Sequence, residues 1–117
     1  MTDPDLPRDE LQAGLSYLSP EELARRLHSD GAPPVLDVRD PSELAGELGQ
    51  LPGAMHIPLG QLQQRAGELS THERRDIVVV CRTGRRSEAA ARILRDSGFD
   101  RVFVLKGGMT AWRDTHR

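Results

Sequence analysis

The chain has 117 residues and a mass of 13.0 kDa, room for one domain with a single core and too little for two. Its 16 basic and 18 acidic residues leave a net charge of -2, which excludes a global field for nucleic acid or an anionic membrane, so any cationic site is local. No apolar run reaches the ~18 residues of a membrane-spanning helix, the start lacks the apolar centre of a signal peptide, and a single cysteine closes no internal disulfide; a soluble, cytoplasmic protein without nucleic-acid or membrane partners is expected.

Residues 1–14 are rich in Pro, Asp and Gly without apolar periodicity and read as a flexible leader, leaving 15–117 as the domain. Ser19, Pro20 and Glu22 supply an N-cap, a first-turn proline and a capping-box glutamate, with Leu23 and Leu27 following at helical spacing. After a break at Gly31 to Pro34, residues 35–38 (Val-Leu-Asp-Val) suit a strand covered on both faces. Residues 41–48 allow a helical turn or two. Residues 54–58 are a weaker strand, ended or pushed to a sheet edge by Pro58. Leu59, Leu62, Ala66 and Leu69 then predict a helix over 59–69.

The strongest strand is 77–80, Ile-Val-Val-Val, whose β-branched residues without alternation predict the middle of a parallel sheet. Ser87 is predicted to cap a helix running to about Ser97, with Ala90, Ile93 and Leu94 turned inward and Gly98 at the stop. Residues 102–105 form another buried strand, closed by Lys106, Gly107 and Gly108, and a last helix starts within 110–113. This alternation predicts an α/β domain with a mainly parallel sheet and right-handed crossovers. Ligands of such sheets bind beyond the carboxyl ends of the strands, where Cys81 falls.

The residues after that strand read Cys81, Arg82, Thr83, Gly84, Arg85, Arg86, Ser87. A thiol reacts as its thiolate, which nearby guanidinium groups and a helix N-terminus stabilise. Wrapped around the sulfur, the backbone N–H groups of this loop make a compact cradle for an anion, and Gly84 permits the backbone angles of such a curl. The plain alternative is a small buried hydrophobe beside a solvated loop; it explains neither the cationic loop nor its place between strand and helix. Arg85 is the arginine most readily turned to solvent.

With these residues in view the chain resembles the rhodanese family. Cys81 to Ser87 is similar to that family's active-site loop, with glycine at the third position after cysteine and arginine at the fifth. Val35-Leu36-Asp37-Val38-Arg39 with Glu43 resembles its first signature. Gly49-Gln50-Leu51-Pro52-Gly53-Ala54 followed by Ile57-Pro58-Leu59 resembles the second, and Val104-Leu105-Lys106-Gly107-Gly108 with Ala111-Trp112 the closing one. One departure is Gln50, where the second signature commonly has histidine.

The resemblance implies a five-stranded, mainly parallel sheet flanked by helices on both faces. It also implies a sulfurtransferase, in which Cys81 takes a sulfane sulfur from a donor such as thiosulfate, releases sulfite, and passes the sulfur to cyanide or a thiol. The loop N–H groups from Arg82 to Arg86 then hold the persulfide, Arg86 organises the loop, and Arg82 binds the anionic donor or leaving group. Three loop arginines lean toward thiosulfate over mercaptopyruvate. Asp37 and Arg39 are expected to fix the sheet end, since charges beside a buried strand pair or bond to backbone; Gly107, Gly108 and Trp112 are expected to supply a turn and packing near the loop. His28, His56, His72 and His116 show no metal-ligand spacing, so no metal or cofactor is expected. Two rivals remain: a phosphatase or arsenate reductase of the same fold, whose longer loop puts arginine six after cysteine, and a sulfur carrier or binding module serving a protein partner.

Overall fold

In a computed structural model, which describes residues 14–116, the β-branched run at 77–80 is the central strand of a five-stranded sheet. The leader expected over 1–14 lies outside the described residues except for Gly14. The strands are β1 (Ser16–Leu18), β2 (Val35–Asp37), β3 (Met55–His56), β4 (Ile77–Val80) and β5 (Val102–Leu105). They pair in the order β1-β5-β4-β2-β3, and every pairing is parallel. Between and after them run α1 (Pro20–Leu27), α2 (Pro41–Leu44), α3 (Leu59–Arg65), a 3-10 segment (Ala66–His72), α4 (Arg85–Asp96) and α5 (Gly108–Thr115).

The lack of alternation in β4 follows from cover on both sides. Ile77 and Val79 pack with Leu62, Ala66 and Leu69 of the α3 side and Ala90, Ala91 and Leu94 of α4. Val78 and Val80 face the opposite way, toward Leu23 of α1 and Met109 of α5. All four β4 side chains are fully buried; at about 25 cal/mol per Å² of apolar surface, each contributes about 1.5–3 kcal/mol. The helices therefore lie on both faces, as the resemblance implied.

Local chemistry places the ends of several elements. Ser19 caps α1 with a full capping box: its hydroxyl accepts from the Glu22 N–H at 3.1 Å while the Glu22 carboxylate accepts from the Ser19 N–H at 3.2 Å. At the far end of α4, Gly98 (φ +105) lets the Phe99 N–H return to the Leu94 carbonyl at 3.0 Å, closing the helix where a glycine stop was expected.

Four expectations need correction. Ser87 does not cap α4; the helix begins at Arg85 with Gly84 (φ 117) as N-cap, because the chain turns through the left-handed region inside the loop itself. The last helix starts at Gly108, two residues before 110, because Gly107 and Gly108, at φ 75 and 61, complete the turn directly after β5. The 59–69 segment is α-helical only to Arg65 and then winds as a 3-10 helix; Leu62, Ala66 and Leu69 are buried in both windings, so their spacing does not distinguish them. The 54–58 strand is reduced to two residues at the sheet edge, the position that Pro58 favours.

Candidate active site

Cys81 follows β4 at the carboxyl edge of the sheet, and its residue is only 1% exposed. Its Sγ accepts the backbone N–H of Gly84 at 3.0 Å and that of Ser87 at 3.4 Å. These amides belong to the N-cap and first turn of the 12-residue α4, where backbone donors lack intrahelical acceptors and the helix dipole is positive. A neutral thiol is a weak acceptor, whereas an anionic sulfur accepts strongly. The arrangement therefore directs two backbone donors at the sulfur position. Gly84 makes it possible: φ 117 brings the chain back over the thiol within three residues.

The loop side chains divide. Arg82, Thr83 and Arg85 are exposed at the rim, while Gly84 and Ser87 are buried. Arg86 turns away into a two-pronged ion pair with α2, donating from its two terminal nitrogens to the Glu43 carboxylate at 2.7 and 2.8 Å. This contact ties the loop to the segment after β2 across 43 residues of sequence. Glu43 entered the sequence reading only as part of a motif, and no local signal links two residues so far apart.

The Arg86 guanidinium holds the Glu43 carboxyl at about 2, below its ordinary 4.5. A carboxylate depressed on folding stabilises the native state above its unfolded pKa, and that contribution is lost as pH falls through 4.5 toward 2. The two side chains are 32% and 28% exposed, so solvent screening limits the pair to about 1 kcal/mol. Glu43→Gln is accordingly expected to lower stability in urea by about 1 kcal/mol at neutral pH. The gap to the wild type closes as the pH is taken from 5 down through this window; a gap that is constant with pH would contradict the ion pair's contribution.

Directly after the closing Lys106-Gly107-Gly108 segment, two amides of α5 meet the loop backbone. The N–H of Met109 donates to the Cys81 carbonyl at 2.8 Å, and that of Thr110 to the Arg82 carbonyl at 3.0 Å. This approach excludes a side chain at Gly108, where an added Cβ would stand 2.5 Å from the Arg82 carbonyl oxygen and 2.6 Å from that of Cys81. The neighbouring Trp112 is half-buried against the α1 and α5 face and stacks on the His116 ring at 3.8 Å.

Asp37 and Arg39 stand at the end of β2, next to the strand that carries Cys81. Both are 1% exposed and bonded to each other, with Arg39 Nε donating to Asp37 Oδ1 at 3.0 Å and a terminal nitrogen to Oδ2 at 2.7 Å. The same terminal nitrogen reaches the Gly49 carbonyl at 2.6 Å, pinning the β2–β3 connection to the sheet end. Gln50, beside that carbonyl, is exposed. Among the described residues no group of three or more His, Cys, Asp or Glu is gathered where it could hold a metal ion.

A cavity of about 330 Å³ opens beside the loop, walled by Thr83 and Gly84 from the loop, Glu88 of α4, and Tyr17, Val104, Lys106 and Gly107 from the carboxyl ends of β1 and β5. Lys106 and Tyr17 had no assigned role in the sequence. Tyr17 sits on β1, which carries no recognisable pattern and is held by its ladder to β5.

The geometry has counterparts. The family pattern described as "Rhodanese-like domain" matches residues 19–115. A Bacillus subtilis protein named as a candidate sulfur carrier, YrkF, is 38% identical over 100 residues, covering 86% of this chain and 52% of its own, so the chain spans about half the length of that relative. The thiosulfate sulfurtransferase GlpE of Ectopseudomonas mendocina is 37% identical over 100 residues, covering 84% of each chain. Among solved structures, a rhodanese-related protein of Thermoplasma volcanium is similar with a TM-score of 0.75 at 27% identity, over 86% of this chain and 92% of its own.

Proposed function

The chain belongs to the rhodanese-like domain family, and from that premise we propose that it is a sulfurtransferase working through a persulfide on Cys81, with thiosulfate as donor. In the first half-reaction the Cys81 thiolate attacks the sulfane sulfur of thiosulfate. The bond between the two thiosulfate sulfurs breaks, sulfite departs with its electron pair, and the sulfane sulfur stays on cysteine. In the second, cyanide or a thiolate attacks the outer sulfur, and Cys81 leaves as thiolate. The Gly84 and Ser87 amides hold the inner sulfur in its anionic states, Arg82 at the rim meets the sulfite end of the donor, and Arg86 keeps the loop closed through Glu43.

The observation that carries this reading is the pair of amides on Sγ, at 3.0 and 3.4 Å, inside a loop whose arginine is the fifth residue after cysteine. A phosphatase needs guanidinium donors around a tetrahedral oxyanion. Here the fork of Arg86 is engaged by Glu43 instead, which favours sulfur over phosphate. Transfer to a protein acceptor is a second reading, supported by the likeness to the candidate sulfur carrier and by the exposed rim of Arg82, Thr83 and Arg85.

Steady-state kinetics with thiosulfate and cyanide test the two half-reactions. A covalent sulfur intermediate predicts parallel double-reciprocal lines, because the first product leaves before the acceptor binds. Intersecting lines would contradict it, and faster turnover of an aryl phosphate than of thiosulfate would favour the phosphatase reading.

A further inference from the structure

The cavity between the loop and the ends of β1 and β5 is larger than the substrates just named require. At about 330 Å³ it holds the volume of roughly eleven waters, whereas cyanide has two heavy atoms and thiosulfate five. Thr83 and Gly84 form one of its walls, and Gly84 is the residue whose N–H bonds Sγ at 3.0 Å, so the cavity adjoins the loop that holds Cys81, whose own side chain is buried beneath that loop. Its walls combine half-buried Tyr17 with the exposed Thr83 and Lys106, over the buried Val104. Lys106 is the cation in the lining, and among the described residues its ammonium makes no ion pair. The carboxylate in the lining, Glu88, accepts the Tyr17 hydroxyl at 2.8 Å and is tied to β1 by that bond.

We propose that this cavity is the acceptor site and that Lys106 selects organic thiols bearing a carboxylate. The inference rests on the persulfide reading and deepens it by naming the acceptor class. The bound thiol loses its proton to solvent, and its thiolate attacks the outer sulfur of the Cys81 persulfide. The bond between that sulfur and Sγ breaks, Cys81 leaves as thiolate, and an organic persulfide departs with no net oxidation. Lys106 pairs with the ligand's carboxylate at the β5 end, and the ligand's short alkyl chain lies between Lys106 and Tyr17.

A charge series of small thiols tests the site: 3-mercaptopropionate, 2-mercaptoethanol and cysteamine, compared as kcat/KM against thiosulfate-loaded protein. The wild type is expected to prefer 3-mercaptopropionate over 2-mercaptoethanol, and Lys106→Gln to reduce that ratio about fivefold, the size of one solvated ion pair. The ratio cancels any effect of the substitution on loading or folding. Lys106→Glu is expected to turn the preference toward cysteamine. Equal effects on all three thiols, or a wild type indifferent to their charge, would overturn the proposal. Binding of the unreactive thioether 3-(methylthio)propionate to unloaded protein needs no sulfur transfer and is read by NMR shifts. Shifts at Lys106, Tyr17 and Val104, reduced by Lys106→Gln, would uphold the site even if thiosulfate loads no sulfur and the persulfide reading falls. Shifts elsewhere, or no binding at millimolar concentration, would overturn it whatever the loading result.

Discussion

Cys81→Ser is expected to bring sulfur transfer down to background, a loss of at least about 10⁴-fold in kcat/KM, while the protein stays folded. A serine hydroxyl is not ionised at neutral pH, and its oxygen is a poor nucleophile toward sulfane sulfur. The chain contains no second thiol to take over the role. The fold tolerates the change because oxygen occupies the same buried position and offers the Gly84 and Ser87 amides an acceptor in place of sulfur. The cost of that exchange is about 1–2 kcal/mol. Rates and a thermal melt on the same preparation check both halves. Retained turnover in a folded Cys81→Ser protein would place the chemistry elsewhere.

The second large effect is expected from a residue that carries no functional group. Gly108→Ala places a methyl 2.5 Å from the Arg82 carbonyl oxygen and 2.6 Å from the Cys81 carbonyl, at a backbone φ of +61. The left-handed conformation costs an L-residue about 1–2 kcal/mol, and overlap with a backbone that cannot rotate aside adds about 1–3 kcal/mol. The expected loss is about 3 kcal/mol, or roughly 10–20 °C in Tm. Activity falls with it, because the displaced atoms are the carbonyls that Met109 and Thr110 hold. Gly31→Ala supplies the comparison: its φ is +76, but an added Cβ meets nothing within 4 Å. It is expected to cost only about 1 kcal/mol and to leave kcat unchanged. Equal losses in the two variants would show that strain alone matters and that the close approach does not position the loop.

Much of the scaffold was legible in the sequence because its signals are local. The β4 run is uniformly β-branched because it is covered on both faces, and its end locates Cys81 at the ligand-binding edge. The α1 start is written in Ser19, Pro20 and Glu22, three positions within four residues that play three separate roles at the helix start. What stayed hidden depends on residues brought together from afar. β1 is three residues, one of them a serine, and takes its conformation from β5. The partner of Arg86 has no local signature, because Glu43 is 43 positions away. Ser87 looked like an N-cap because serine at the head of an apolar stripe usually is one; the turn at Gly84 moves the cap back three residues and leaves the Ser87 N–H directed at sulfur.

These particulars bear on how the site works. Of the three loop arginines, one is engaged in holding the loop shut and two lie exposed at its rim. The donors within reach of Sγ are backbone amides, fixed by the curl at Gly84 and by the α5 amides behind it. A cradle of this kind is preorganised, and it needs no side-chain reorientation when charge develops on sulfur.

The central claim is a covalent sulfur on Cys81, and intact-mass measurement after brief exposure to thiosulfate tests it most directly. The account predicts a gain of about 32 Da, one sulfur atom, on the wild-type protein, its removal by cyanide, and no gain on Cys81→Ser. An unmodified mass on protein that is turning over thiosulfate, or the same gain on Cys81→Ser, would contradict it.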